Sequence, residues 1–171
     1  MGSTSDKSTT QNTAVKAVLV GHSAAGKTAC AALLNGSRRG DMDVGLGTTK
    51  SPPLDVALTW LLSPTRPSVV VLSNHEEMLT RPRFAKVNHE QHEAFSRLMF
   101  LYLHKPKERL KRHLARPTCG GSNRPLDAQR YTLDHYDRFH MLFSDIADAI
   151  IDCSTRSTQQ TADVVRSLLM S

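Results

Sequence analysis

The sequence is poor in aromatic residues and in long apolar runs, and each scarcity argues against a class of protein. Aromatic residues make up only 5% of the chain. A surface that binds RNA by stacking several exposed rings is therefore disfavoured, and we do not expect nucleic acid to be the partner. No apolar run approaches the roughly 20 residues that span a bilayer, so no membrane-embedded segment is predicted.

Cysteine is also scarce: the three cysteines are Cys30, Cys119 and Cys153, and they lie far apart. None forms a CxxC pair, so the spacing indicates neither a zinc site nor a disulfide framework. The expected location is a reducing one, the cytoplasm. Residues 1–13 are polar and rich in Ser and Thr, and they lack the apolar stretch of a signal peptide. We interpret them as a disordered tail ahead of one domain over residues 14–171.

The remaining composition allows an ordinary folded domain with a basic surface. The chain has 171 residues, of which 39% are hydrophobic, and this is enough to bury the core of one domain. Its formal net charge is +6. Such a charge suits a polyanionic partner, which could be nucleic acid, a membrane surface or a nucleoside triphosphate. A generally basic surface explains it equally well, so composition alone leaves the partner open.

Hydrophobic patterning predicts strands that alternate with helices along the chain. Short apolar runs indicate strands at 15–20, 68–72, 98–103 and 149–152, with a short one near 42–44. Helices are predicted at 28–35, 54–62, 106–115, 129–148 and 158–170. This alternation is typical of a three-layer α/β domain with a parallel sheet and right-handed crossovers. We expect five strands in the sheet.

The eight residues that directly follow the first predicted strand fit the pattern G-x-x-x-x-G-K-[ST] at every fixed position. These residues, which we call the phosphate loop, are Gly21, His22, Ser23, Ala24, Ala25, Gly26, Lys27 and Thr28, with Ala29 next in the following helix. Small residues let backbone N–H groups turn inward around a phosphate, and the positive end of the helix adds to the attraction. The Lys27 ammonium can bridge the β- and γ-phosphates, and the Thr28 hydroxyl is a hard oxygen ligand for Mg²⁺. The motif therefore predicts a site for a nucleotide.

Two classes of phosphate-loop protein find little support elsewhere in the chain. A regulatory GTPase needs D-x-x-G after its third strand, where this chain reads Val-Leu-Ser-Asn-His-Glu, and it needs N-K-x-D for guanine. A motor ATPase usually has a strand that ends in Asp-Glu, and it is longer than 171 residues. The class that remains is the kinases of small molecules.

Beyond the loop, the chain resembles shikimate kinase and its relatives among the nucleoside-monophosphate-kinase-like proteins. Asp41-Met42-Asp43 resembles the D-x-D that follows the family's second strand, and residues 102–112 resemble its fourth strand and the helix behind it. The resemblance implies that Asp41 helps to hold the magnesium through water and that Asp43 accepts a hydrogen bond from the substrate hydroxyl. A carboxylate opposite the γ-phosphate can orient the attacking oxygen and take its proton.

The segment at 116–127 resembles the family's glycine-bearing lid, which ends in Arg-Pro-Leu. The resemblance implies that Arg124 swings onto the phosphates when a mobile lid closes, and that Arg116 lies near the adenine. The tail from residue 143 is similar to the family's last helix, strand and adenine-side loop, which implies a place beside the base for Arg156. A guanidinium is well suited to spreading the charge of a transferring phosphoryl group. The implied activity is phosphoryl transfer from ATP, with Mg²⁺, to a small-molecule acceptor.

The departures from the family concern the acceptor. Shikimate kinases carry a triple glycine after the third strand, where this chain has Ser-Asn-His-Glu at 73–76. The family's arginines for the shikimate carboxylate are not matched, since residues 44–60 contain none and Arg138 lies near the second position without being in register. We therefore expect an acceptor other than shikimate, such as another polyol, a nucleoside or a nucleotide. Candidate contacts to it are Asn74, His75 and Arg138.

Two further interpretations stay open. A (deoxy)nucleotide kinase would need a second base pocket between Leu54 and His92. A nucleotide-binding module without transferase activity would keep the phosphate loop, and the missing triple glycine favours this interpretation. The eight histidines include no convincing metal-ligand spacing, so a histidine metal centre is not predicted, and the sequence does not fix the oligomeric state.

Overall fold

The computed structural model describes residues 16–36, 68–71, 96–117 and 121–171. Within these ranges the chain forms one sheet with four strands: β1 (Lys16–Val20), β2 (Val69–Val71), β3 (Leu98–His104) and β4 (Ala149–Asp152). Their order across the sheet is β2-β1-β3-β4, and every pairing is parallel. β1 is therefore an inner strand, and its Val18 pairs with Val70 on one side and with Phe100 on the other.

Local signals explain where several of the described helices begin and end. The helices are α1 (Lys27–Asn35), α2 (Lys107–Leu114), α3 (Leu126–Asp134), α4 (Tyr136–Ile146) and α5 (Thr158–Met170). α1 ends at Gly36, whose φ of 63° suits a glycine. α2 and α3 each follow a proline, Pro106 and Pro125, whose fixed φ is compatible with a helix start. Ser157 and Gln160 form a capping box at the start of α5.

Helices cover both faces of the sheet. Successive residues of a strand point to opposite faces, and the odd-numbered residues of β1 pack with Cys30 of α1 and Val165 of α5. The even-numbered residues of β1 pack with Phe143 of α4. A sheet that is covered on both faces needs strands that are largely apolar, and the polar residues of these strands, Lys16, His104 and Asp152, stand at strand ends. The chain therefore has the predicted three-layer α/β arrangement.

A smaller apolar cluster lies beside the phosphate loop. Leu110 and Leu114 of α2 are buried against Tyr136 at the start of α4, and Ala24 of the phosphate loop packs on the same group. Leu133 of α3 adds a further partly buried contact. This cluster connects the phosphate loop to the helices that follow β3.

The described strands confirm the predicted ones to within one residue at each end, but the helix before β4 differs. The single helix predicted over 129–148 is two helices, α3 and α4, with a break at His135, whose φ of −100° and ψ of 13° depart from helical values. The break lets Leu133 contact the cluster at α2 while Phe143 packs against the sheet. The strand predicted near 42–44, which would be the fifth, lies outside the described residues. The helix predicted over 54–62 and the tail at 1–13 do as well.

Candidate functional site

The phosphate loop turns between β1 and α1 through three residues with positive φ. Gly21 has a φ of 149°, Ala24 of 65° and Gly26 of 97°. Left-handed residues next to right-handed ones turn backbone N–H groups toward one side, and such a concavity binds anions. Gly21 also allows a close approach, because a Cβ there would lie 2.8 Å from the carbonyl oxygen of Leu103. The loop therefore lies directly against the carboxyl end of β3.

Lys27 opens α1 and is buried, with 7% of its surface exposed. Its Nζ donates hydrogen bonds to the carbonyl oxygens of Gly21, at 2.7 Å, and of His22, at 2.8 Å. The ammonium is thus held against the backbone of the phosphate loop. The first turn of α1 itself contains no acidic residue, so no carboxylate within that turn offsets the positive end of the helix dipole. Thr28 follows Lys27 in the same turn and is half-buried.

The side chain of His22 is turned into the protein and is 3% exposed. Its ring stacks on that of Tyr136 with 4.3 Å between centroids and meets Phe143 edge-on at 5.4 Å. Its Nε2 lies 3.0 Å from the backbone oxygen of Tyr136, and its Nδ1 lies 3.4 Å from the hydroxyl of Tyr102. Burial is the main cause that lowers the pKa of His22 from 6.5 to about 4, and the nearby Lys27, His140 and His104 act in the same direction. The ring is therefore neutral at pH 7.

His22 is one member of a group that we call the imidazole–phenol cluster: His22, Tyr102, His104, Tyr136 and His140. The Tyr102 hydroxyl lies 3.0 Å from His140 Nδ1, and the Tyr136 hydroxyl lies 3.2 Å from His104 Nε2. His104 and His140 are half-buried, whereas the other three are buried. Sequence reasoning missed this cluster. Its local signals are the i, i+2 pair in β3 and the i, i+4 pair in α4, since each spacing puts two side chains on one face.

Positive charge accumulates where β3 leads into α2. We call this group the basic cluster: Lys105, Arg109, His113, Arg116 and Arg124. Burial lowers the pKa of Lys105, and the charges of Arg116 and Arg109 lower it further, although a neighbouring cysteine opposes them. Burial and the charges of the four Lys and Arg members of the cluster lower the pKa of His113. Among the described carboxylates, none forms an ion pair with this cluster, so its charge is available to a polyanion.

Two of the predicted site residues meet at the end of α2. Arg124 Nη1 donates hydrogen bonds to the backbone oxygens of His113, at 3.3 Å, and of Arg116, at 3.1 Å. These acceptors are neutral main-chain groups. The structure therefore brings Arg116 and Arg124 together, as part of the basic cluster, on the segment that follows the strand next to β1.

The other predicted site residues are dispersed. Arg156 is exposed after β4 and donates a hydrogen bond to the backbone oxygen of Asp152. Arg138 is exposed on α4 with its guanidinium 6.0 Å from the ring centroid of Phe139. Because residues two apart on a helix do not share a face, Arg138 points away from the side that carries His140. Four predicted residues lie outside the described ranges: Asp41, Asp43, Asn74 and His75.

In the described part of the chain, no three side chains of His, Cys, Asp or Glu come together as a metal site. Of the helices described, none is both long enough and apolar enough to cross a bilayer.

Comparison with solved structures shows which known fold this one resembles. No protein-family model matches the chain, and curated proteins give no match. Among solved structures, the chain is similar to a shikimate kinase from Acinetobacter baumannii in complex with shikimate. The TM-score is 0.56 and the sequence identity is 19%, over 91% of this chain and 93% of the other. The chain therefore has a shikimate kinase-like P-loop kinase fold, as its motifs predicted.

Proposed function

We propose that this protein binds ATP with Mg²⁺ and transfers the γ-phosphoryl group to a small molecule other than shikimate. One observation carries this proposal: the positive-φ backbone of the phosphate loop holds the buried ammonium of Lys27 at the N-terminal end of α1. All three features attract the same kind of ligand, a chain of phosphate groups. The shikimate kinase-like fold supports kinase chemistry over the other functions of phosphate-loop proteins.

The basic cluster is a second support for a triphosphate ligand. It follows β3, which is the hydrogen-bonded neighbour of β1 and so of the phosphate loop. Arg124 donates to neutral main-chain oxygens. A hydrogen bond from a guanidinium to a charged oxygen is about twice as strong as a neutral one. Phosphate oxygens can therefore displace these backbone acceptors and draw Arg124 over the nucleotide.

The residues at the start of α1 fit a magnesium ion in part. The hydroxyl of Thr28 is a hard oxygen in the turn that also carries Lys27, and Mg²⁺ prefers such ligands and keeps several waters. We assign Thr28 as a direct ligand and Asp41 as a ligand through water. When bound, the ion neutralises charge on the β- and γ-phosphates.

The remaining roles divide between the nucleotide and the acceptor. Lys27 holds the β- and γ-phosphates, and Arg124 stabilises the charge of the transferring group. Asp43 orients the acceptor hydroxyl and takes its proton. Arg116 and Arg156 lie beside the adenine. Closure of the segment at 116–127 over the bound nucleotide excludes water and so limits ATP hydrolysis.

Two alternatives make different predictions. A (deoxy)nucleotide kinase would place a second base between residues 54 and 92. A nucleotide-binding module without transferase activity would bind ATP without acceptor-dependent turnover, and the loss of the family's triple glycine at 73–76 supports this alternative. Both share the phosphate loop with the proposal, so measuring binding and turnover separately distinguishes them.

Titration calorimetry with ATP, ADP, GTP and GDP in the presence of Mg²⁺ tests the binding step. We expect wild-type protein to bind ATP and ADP. Lys27→Ala removes a charge-assisted hydrogen bond and should weaken ATP binding about 10- to 100-fold, since such bonds contribute roughly 1.5–3 kcal/mol. Arg166→Ala is the matched control, because it removes an exposed cation that pairs with Asp163 on α5. Failure of all four nucleotides to bind contradicts the proposal.

A coupled assay of ADP release tests the transfer step. Asp43→Asn should abolish acceptor-dependent ADP release while ATP binding in the calorimeter persists, because the carboxylate acts on the acceptor and not on the nucleotide. Wild-type protein that binds ATP but releases no ADP with any acceptor is a binding module. Acceptor-dependent turnover that survives Lys27→Ala would rule out the kinase mechanism.

A further inference from the structure

The imidazole–phenol cluster lies between the phosphate loop, the carboxyl end of β3 and α4, and the phosphate-loop motif does not account for it. Tyr136 stacks on both His22 and His140, with centroid distances of 4.3 and 6.0 Å. The rings of His104 and His140 are 5.0 Å apart. Ligands of parallel α/β sheets bind beyond the carboxyl ends of the strands, and His104 is the last residue of β3. The two half-buried imidazoles therefore lie where a second ligand can reach them.

Hydrogen bonding fixes which nitrogen of His104 carries the proton. The Tyr136 hydroxyl lies 2.9 Å from the backbone oxygen of Lys105 and donates to it, because a carbonyl oxygen can only accept. The same hydroxyl lies 3.2 Å from His104 Nε2, and its one proton is already used. His104 Nε2 must therefore donate, which leaves Nδ1 of the neutral ring with a lone pair.

The hydrogen bonds of His22 determine which nitrogen of His140 carries a proton. His22 Nε2 donates to the backbone oxygen of Tyr136, at 3.0 Å, so Nδ1 of this neutral ring is an acceptor. Its neighbour is the Tyr102 hydroxyl, which also lies 3.0 Å from His140 Nδ1. Buried polar atoms are satisfied in folded proteins, and a single arrangement satisfies all three groups. In it, Tyr102 donates to His22 and His140 Nδ1 donates to Tyr102, which leaves His140 Nε2 with a lone pair when that ring is neutral.

Two hydrogen-bond acceptors thus remain on the half-buried rings. No hydrogen bond from a described residue reaches His104 Nδ1 or His140 Nε2. We propose that these two nitrogens bind hydroxyl groups of the phosphoryl acceptor, and that the acceptor is an uncharged polyol or nucleoside. This inference rests on the proposed function, since it names the substrate class of the same site.

The chemistry of the two rings separates neutral from anionic acceptors. Lone pairs on neutral imidazoles accept from hydroxyl groups, whereas carboxylate and phosphate oxygens are acceptors themselves and would be repelled. Burial and the neighbouring His140 lower the pKa of His104, although Asp152 opposes them, and this keeps the ring neutral at pH 7. The lack of arginine in residues 44–60 agrees with an acceptor that has no carboxylate to hold.

Long-range ¹H–¹⁵N NMR spectra of the full chain at pH 7 test the assignment without any activity measurement. We expect His104 to carry its proton on Nε2 and His140 to carry its proton on Nδ1. Tyr102→Phe removes the hydroxyl that receives the His140 proton, and it should shift His140 toward the Nε2–H form while leaving His104 unchanged. A doubly protonated ring, or an Nε2–H form of His140 in wild-type protein, would overturn the inference.

Ligand binding is tested with two pairs of probes that differ mainly in charge: thymidine with thymidine monophosphate, and methyl shikimate with shikimate. The probes are added to protein saturated with Mg²⁺-ADP, and the ring resonances of the two histidines are followed. We expect the neutral member of at least one pair to shift the ring resonances of both histidines. Its anionic partner should shift the resonances of neither. Stronger binding of the anionic members, or no shift with either neutral probe, would overturn the inference.

Two conservative variants test the nitrogens themselves. The amide nitrogen of Gln falls near the position of Nε2, so His104→Gln retains donation to Tyr136 and removes the Nδ1 acceptor. His140→Asn in the same way retains donation to Tyr102 and removes Nε2. Each variant should bind the neutral probe about tenfold more weakly than the wild type, as expected for the loss of one good hydrogen bond. His135→Gln is the control, because that ring contacts Tyr131 outside the cluster.

The outcomes separate this inference from the proposed function. If no nucleotide binds, the proposed function fails. If nucleotides bind and the two variants retain wild-type affinity for the neutral probe, or if acceptor-dependent ADP release requires a carboxylate or phosphate on the acceptor, the proposed function stands and this inference fails.

Discussion

His22 should make the stability of the folded protein depend on pH, and His22→Gln tests this. The imidazole is buried in the phosphate loop, where it donates a hydrogen bond to the backbone oxygen of Tyr136. A glutamine side chain can donate to the same oxygen through its amide, and it gains no proton between pH 7 and pH 4. The substitution therefore removes the titration and keeps the main polar contact.

The magnitude and sign follow from the pKa. Burial lowers the pKa of His22 from 6.5 in the unfolded chain to about 4 in the folded one. Between these values the unfolded state binds the proton and the folded state does not, so stability falls as pH falls. Above pH 6.5 the effect vanishes, and below about pH 4 it levels off. The full difference is about 3 kcal/mol, at roughly 1.4 kcal/mol for each unit of pKa, and roughly 2 kcal/mol of it is present by about pH 5.

Urea unfolding followed by circular dichroism at pH 7, 6, 5 and 4 measures the effect. Other groups titrate in the same range, so the informative quantity is the difference in unfolding free energy between wild type and His22→Gln at each pH. We expect this difference to change by about 3 kcal/mol in favour of the variant between pH 7 and pH 4. His135→Gln, whose ring is half-buried and lies outside the phosphate loop, is the matched histidine control. Parallel curves for wild type and His22→Gln would refute the buried, neutral state of His22.

Two further predictions concern stability. Gly21→Ala puts a Cβ within 2.8 Å of the carbonyl oxygen of Leu103 and should lower the unfolding free energy by about 1–3 kcal/mol. Gly121→Ala is its control, because the φ there is also positive but no atom of a described residue lies within 4 Å of the added Cβ; equal losses in the two variants would contradict the close contact. Ser157→Ala removes the hydroxyl that accepts a hydrogen bond from Gln160 N at 3.2 Å. The free energy of unfolding, measured by thermal unfolding, should fall by about 1 kcal/mol. An unchanged Tm would show that the capping box does not stabilise α5.

Much of the fold could be predicted because it is encoded in short stretches of sequence. Residues 17–20 are apolar on both faces, and the fixed positions of the phosphate loop follow them directly, so strand, loop and helix were predictable together. The prolines before α2 and α3 and the glycine after α1 mark helix ends through the backbone angles that these residues allow. The apolar spacing over 129–148 did not reveal the break at His135. The break allows α3 to contact α2 and α4 to contact the sheet, and these two partners are distant in sequence from the segment or from each other.

The phosphate loop and the parallel sheet are predictable from the sequence, because the signals for both come from residues close together along the chain. Contacts between distant side chains depend on the packing of the whole fold. His22 contacts Tyr102, 80 residues away, and Tyr136, 114 residues away, because β1 lies next to β3 and α4 packs over both. The same packing turns Arg138 away from the side of α4 that carries His140. Such contacts depend on strand order and helix orientation, which no local pattern of residues records.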